Sequence, residues 1–79
     1  MPWDEQEAAF QGSDREFLLW LYQEFRRLML YTAQKYLADP HSQEEVVQES
    51  LKKLIEKVAV LRRLKRPALA GYVRATVRN

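Results

Sequence analysis

The stretch from Asp39 to Leu61 constrains the fold more tightly than any other. Asp39-Pro40 punctuates the chain. Ser42 followed by Glu45 has the spacing of a capping box, in which a hydroxyl and a carboxylate each satisfy a free amide at a helix start. Val47, Leu51, Leu54, Val58 and Leu61 follow in steps of four, three, four and three. At about 100° per residue they form one narrow apolar stripe, the spacing of a helix with a buried side. Glu45, Gln48, Glu49, Lys52 and Glu56 fall on roughly the opposite side. One face is thus expected inside a helical domain, with an acidic and amide row turned outward.

Residues 79 in number and 47% apolar support one modest core, hence one small domain. The absence of cysteine excludes disulfides and thiolate metal sites. No apolar run approaches membrane-spanning length, and the start lacks a secretory pattern. A soluble, cytoplasmic chain without membrane contact is expected. Net charge is only +2, but it is unevenly spread. Residues 1–51 hold four Lys/Arg and ten Asp/Glu, whereas residues 52–79 hold nine and one. Such a division suits two unlike partners, the basic part meeting nucleic acid; two ordinary solvated surfaces explain it equally well.

Ahead of the central stretch, residues 1–12 are weakly patterned. Trp3, Ala8, Ala9 and Phe10 suit either a short helix capping the core or a frayed tail. Ser13 and Glu16 form another capping-box pattern and open a helix expected over 14–37. Its main stripe is Phe17, Leu21, Phe25, Leu28, Met29, Thr32 and Tyr36. Leu19, Trp20, Leu30 and Tyr31 lie partly round the other side, so either the helix packs on two sides or an aromatic patch stays exposed. The second helix is expected over 43–61. A basic connector, Arg62-Arg63-Leu64-Lys65-Arg66, leads to Pro67, which suits the first turn of a third helix over 67–79. There Leu69, Val73, Thr76 and Val77 are expected to face inward, with Arg74 and Arg78 outside. Asn79 carries no C-cap signal, so this last helix is expected to be truncated. No strand-like alternation competes with these patterns. The expected fold is all-α, a compact bundle of three main helices with room for a short fourth at the N-terminus.

Catalysis has little support. His41, the only histidine, sits in a turn beside a proline, and no second convergent group accompanies it. Glu44, Glu45 and Glu49 lack an Asp/Asn-rich loop or a Glu-x-x-His pair, so no metal or other cofactor is expected. Neither glycine belongs to a phosphate loop. Binding chemistry is better represented. Glu45 and Glu49 await basic partner groups, with Gln48 able to donate and accept hydrogen bonds. Arg62, Arg63, Lys65, Arg66, Arg74 and Arg78 suit a phosphate backbone, and Tyr72 and Asn79 suit bases. Plain helix-start electrostatics and a solvated basic face explain the same residues.

The run Asp39 to Leu51, DPHSQEEVVQESL, resembles region two of bacterial RNA polymerase sigma factors, above all the small extracytoplasmic-function group, whose pattern here is approximately D-P-x-D-A-E-D-V-V-Q-E-T-F. Tyr72 to Asn79, YVRATVRN, resembles that family's W-L-Y-R-I-A-R-N stretch. Leu21-Tyr22-Gln23-Glu24-Phe25, with Ala33 and Tyr36-Leu37, looks like its opening helix. The resemblance covers about residues 17–79. It departs at Ser42 and Gln43, at Leu51 in place of a core phenylalanine, at Tyr72 in place of tryptophan and at Thr76 in place of isoleucine.

The resemblance implies a region-two module and no enzyme. It implies docking on the clamp helices of the polymerase largest subunit through Glu45, Gln48 and Glu49. It implies recognition and melting of the promoter −10 element, with the non-template strand held by Lys65, Arg66, Tyr72, Arg74, Arg78 and Asn79. An anti-sigma factor is a further partner class within that family. The family continues beyond the position of Asn79 into a second, −35-reading domain, so these residues alone are not expected to start transcription. The alternative is a helical interaction module that sequesters a transcription regulator without binding DNA.

Overall fold

The computed structural model describes Trp3–Asp4, Ala9–Phe10 and residues 12–79. Two two-residue strands, β1 (Trp3–Asp4) and β2 (Ala9–Phe10), pair antiparallel with Trp3 opposite Phe10. This ladder stands where a short helix or a frayed tail was expected; Ala8 lies outside the described residues. Four helices follow: α1 (Asp14–Gln34), α2 (Pro40–Glu56), the single turn α3 (Val58–Leu61) and α4 (Arg66–Arg78).

The start of α1 follows the sequence pattern. Ser13 Oγ accepts from the Glu16 amide, and Glu16 Oε1 accepts from the Ser13 amide, each at 3.1 Å. With both groups in place, two of the helix's orphan amides are satisfied. The start of α2 departs from it. Asp39 is the N-cap; its Oδ2 accepts from both the amide and the hydroxyl of Ser42 at 3.0 Å. Pro40 then occupies the first turn, where no amide hydrogen is needed. The helix therefore begins three residues earlier than expected. Ser42 serves as a donor to the cap, and the Ser42–Glu45 box does not form. Gln43 Nε2 donates to the Leu37 carbonyl at 2.8 Å, fastening the new helix to the end of the preceding turn.

The expected continuous helix over 43–61 is broken at Lys57, whose φ of −105° and ψ of 18° lie outside the helical well. Neither proline nor glycine marks the break. It nonetheless keeps the stripe inward: Leu54 and Leu61 on either side are fully buried and Val58 is half-buried. α4 begins one residue before Pro67 and has no side-chain cap.

α1, α2 and α4 pack pairwise around one core. It contains Phe17, Leu21, Phe25, Met29 and Ala33 from α1, Val47 and Leu54 from α2, Leu61, and Leu69, Val73 and Val77 from α4. Burial of these side chains supplies the main driving force. Two hydroxyls enter this apolar setting without penalty. Thr32 donates to the Leu28 carbonyl and Ser50 to the Val46 carbonyl, each at 2.7 Å. Leu28 and Thr76 are less buried than the stripe suggests, and Tyr36 is exposed. No helix is long and apolar enough to cross a membrane among the described residues.

Candidate functional site

The outer side of α2 divides into two flanks. At about 100° per residue, Gln48, Leu51 and Ile55 turn toward α1, Glu45 and Glu49 stand outward, and Lys53 and Lys57 turn toward α4. Glu45, Gln48 and Glu49 are all exposed. Glu45 pairs with His41 Nε2 at 2.8 Å and Glu49 with Lys52 at 3.3 Å. Both pairs are open to water and cheap to exchange for a partner's charges. The Gln48 side chain makes no hydrogen bond among the described residues, so its amide is unspent.

Beside Gln48 lies an apolar groove of about 450 Å³ between α1 and α2. Leu18, Leu19 and Tyr22 form one wall and Leu51, Leu54 and Ile55 the other. Leu19 is 55% exposed and Ile55 51%, which no core role requires. Leu19 belonged to the surplus apolar residues of the first helix, and the structure resolves their alternatives residue by residue. Trp20 and Leu30 pack partly against the core, while Leu19 and Tyr31 stay out. Ile55 escaped sequence reasoning. Its one signal was a β-branched apolar residue set among Lys52, Lys53, Glu56 and Lys57, off the stripe.

The basic candidates do not share one face. Lys65, Arg74, Arg78 and Asn79 are exposed, and Tyr72 is half-buried. Tyr72, Thr76 and Asn79 follow in steps of four and three along one flank of α4, whereas Arg74 lies about 160° and Arg78 about 120° round the helix from Tyr72. Arg66 is turned back onto α1. It pairs with Glu24, and its guanidinium lies 5.9 Å from the Trp20 ring centre and 5.6 Å from that of Phe25. Those two rings meet edge to face at 5.9 Å. Cation–π and ion-pair attraction together fasten the start of α4 to α1. Arg62 does the same for the end of α3: it pairs with Asp14 at 2.6 Å and donates to the Gly12 carbonyl.

In place of these arginines, the structure brings two lysines to Tyr72. Lys53, Glu56 and Lys57 line a cleft of about 230 Å³ opposite Tyr72, Thr76 and Asn79. A further hollow of about 340 Å³ lies between α2 and the end of α4, where Glu45, Glu49 and Lys53 meet Val77 and Asn79. No cluster of three metal-ligating side chains occurs among the described residues. Away from these hollows, hydrogen bonds from the amide and then the hydroxyl of Ser13 hold Glu16 below the usual carboxylate range.

Exposed polar pairs, an open apolar groove and a basic cleft are equipment for binding. Comparison with known families assigns the kind. A family model for sigma-70 region 2 matches residues 21–79, most of the chain. The chain belongs to the sigma-70 region 2 family. No curated protein and no solved structure gave a match. Sigma-70 region 2 is a transcription-initiation domain, and its family is not one of enzymes. Membership brings polymerase core and promoter DNA as partners in general terms. The match takes in all of α2, α3 and α4, and so every residue named above for either partner except those on the first turns of α1.

Proposed function

We propose that this region 2 domain docks on the clamp helices of the polymerase largest subunit through Glu45, Gln48 and Glu49, with the apolar groove of Leu19, Tyr22, Leu51 and Ile55 taking an apolar ridge of the same partner. The observation that carries this is that Glu45, Gln48 and Glu49 are all exposed on α2, whose α1 side also opens into an apolar groove. A groove supplies the desolvated centre of an interface, and the acids supply a rim that selects basic partners. The domain then contributes to −10 recognition and melting, holding the non-template strand along α4. Lys65, Tyr72, Arg74, Arg78 and Asn79 are the contacting side chains. Arg66, fastened to Glu24 and the two rings, holds the connection into α4 in place. The domain works in the cytoplasm as part of a sigma factor of the extracytoplasmic-function type, a class in which an anti-sigma factor is a further partner.

The test is a pull-down of polymerase core. Gln48→Ala combined with Glu49→Lys should abolish retention while the thermal melt followed by circular dichroism stays nearly unchanged, since both side chains are exposed. Undiminished retention would make the interface assignment wrong. Titration with a single-stranded −10 oligonucleotide separates the alternative of a sequestering module. Binding that weakens with salt supports the promoter role; none at any salt favours sequestration.

A further inference from the structure

We propose that His41 makes docking on the polymerase weaken as pH falls, by turning its hydrogen bond to Glu45 into an ion pair that competes with the partner's cations. The proposal rests on the docking role given to Glu45 above. It adds a residue that stands at the unspecified position of the D-P-x pattern and has no part in that role.

Three observations carry it. The first is geometry. His41 and Glu45 are one helical turn apart, with Nε2 2.8 Å from Oε1. A nitrogen and a carboxylate oxygen this close hold a proton between them, so the neutral ring donates from Nε2 and keeps Nδ1 as an acceptor. A second proton taken from water at Nδ1 makes the imidazolium and leaves that bond in place. The second observation is the contrast with Glu49. Its partner, Lys52, is an ammonium throughout the neutral range, whereas His41 is charged only when protonated. Glu45 is therefore the acid of the pair whose availability to a basic partner changes near neutrality. The third is the surroundings. The side chains of His41 and Glu45 are 81% and 66% exposed, open to protons and to a partner alike. Asp39 is spent on Ser42, and Glu44 is exposed beside the pair. At the end of α1 the Lys35 ammonium lies over the Tyr31 ring. Glu49 and Lys53 share the hollow with Glu45, and there α4 offers Thr76, Val77 and Asn79, whose side chains do not titrate. Of all these side-chain types, only imidazole changes charge near neutrality. On protonation, a partner's cation must displace the imidazolium from Glu45 and then stand beside it, and both effects oppose docking.

The experiment is fluorescence-anisotropy titration of the labelled full chain with polymerase core, at about pH 7.5, 6.5 and 5.5. Three proteins are compared: the unaltered chain, His41→Gln and Glu45→Gln. Both positions are exposed, and the Glu16 cap titrates below 4.5, outside this window, so melts should show all three folded throughout. Titration of the polymerase itself is common to the three. His41→Gln should bind as tightly as the unaltered chain at the highest pH. Going to the lowest, the unaltered chain should lose about threefold to fivefold more affinity than His41→Gln, the size expected of exposed charges meeting in water. Glu45→Gln should bind more weakly than the unaltered chain at the highest pH. A loss in His41→Gln as large as in the unaltered chain overturns the proposal, and weakened binding by Glu45→Gln then leaves the docking role standing. Undiminished binding by Glu45→Gln at the highest pH overturns both.

Discussion

α2 and α4 look alike in outline and differ in how they are secured. Each packs one apolar stripe against α1, and each has proline in its first turn. α2 is held at its start by Asp39, which satisfies both the amide and the hydroxyl of Ser42. α4 has no side-chain cap, and it carries Gly71 at mid-course with nothing within 4 Å of where a Cβ would stand. Its start depends on long-range ties instead, Arg66 to Glu24 and to two aromatic rings of α1. The helix proposed to meet the polymerase is therefore secured locally, and the helix proposed to hold DNA is secured by tertiary contacts. A locally capped docking helix and a strand-binding helix tied at its start to α1 are the two halves of that division.

The contrast should vanish in the core and grow toward the helix ends. Leu54→Ala on α2 and Leu69→Ala on α4 each remove a fully buried side chain, and each should cost about 2–5 kcal/mol in chemical denaturation. Against a total of roughly 4–12 kcal/mol for a domain this size, either substitution brings unfolding close. Caps come next. Asp39→Ala should lose about 0.5–2 kcal/mol, while Lys65→Ser, which places a hydroxyl where α4 has none, should stabilise. Equal and opposite signs in the two melts would support the difference in anchoring; loss in both would break it. Gly71→Ala should raise stability by about 0.5–1 kcal/mol, because the site is open and alanine has less backbone freedom to lose.

The smallest expected effect lies on α1 and concerns pH. Glu16 titrates below its ordinary 4.5 because Ser13 donates to its ionised form. A lowered folded-state pKa means the unfolded chain takes up the proton first. The cap's contribution is therefore complete above 4.5 and is lost as pH falls through the lowered value. Melts of the chain and of Glu16→Gln should converge as the pH is taken down through that range.

Much of this division was legible in the residues, for definite reasons. The four-three spacing of Val47, Leu51, Leu54, Val58 and Leu61 can bury only one side of a helix, and it placed Gln48 and Glu49 outside. The start of α2 was misplaced because Asp39 and Ser42 are both good caps by type, and only the backbone at Asp39 decides between them. The break at Lys57 has no local signal; it follows from packing Leu61 back into the core. The tie from Arg66 to α1 could not be read in advance, because its partner, Glu24, is remote in sequence and meets it only in the fold. The lysines of the cleft went unnoticed for the same reason: Lys53 and Lys57 sit on one helix and Tyr72 on another.

The central claim is that the outer side of α2 receives the polymerase. Amide shift perturbation in the isotopically labelled chain, on addition of a peptide hairpin copying the clamp helices, tests it most directly. Shifts should concentrate on Glu45, Gln48, Glu49 and Ile55, and cross to Leu19 and Tyr22 on α1. Shifts confined to α4, with those six amides unmoved, would contradict it.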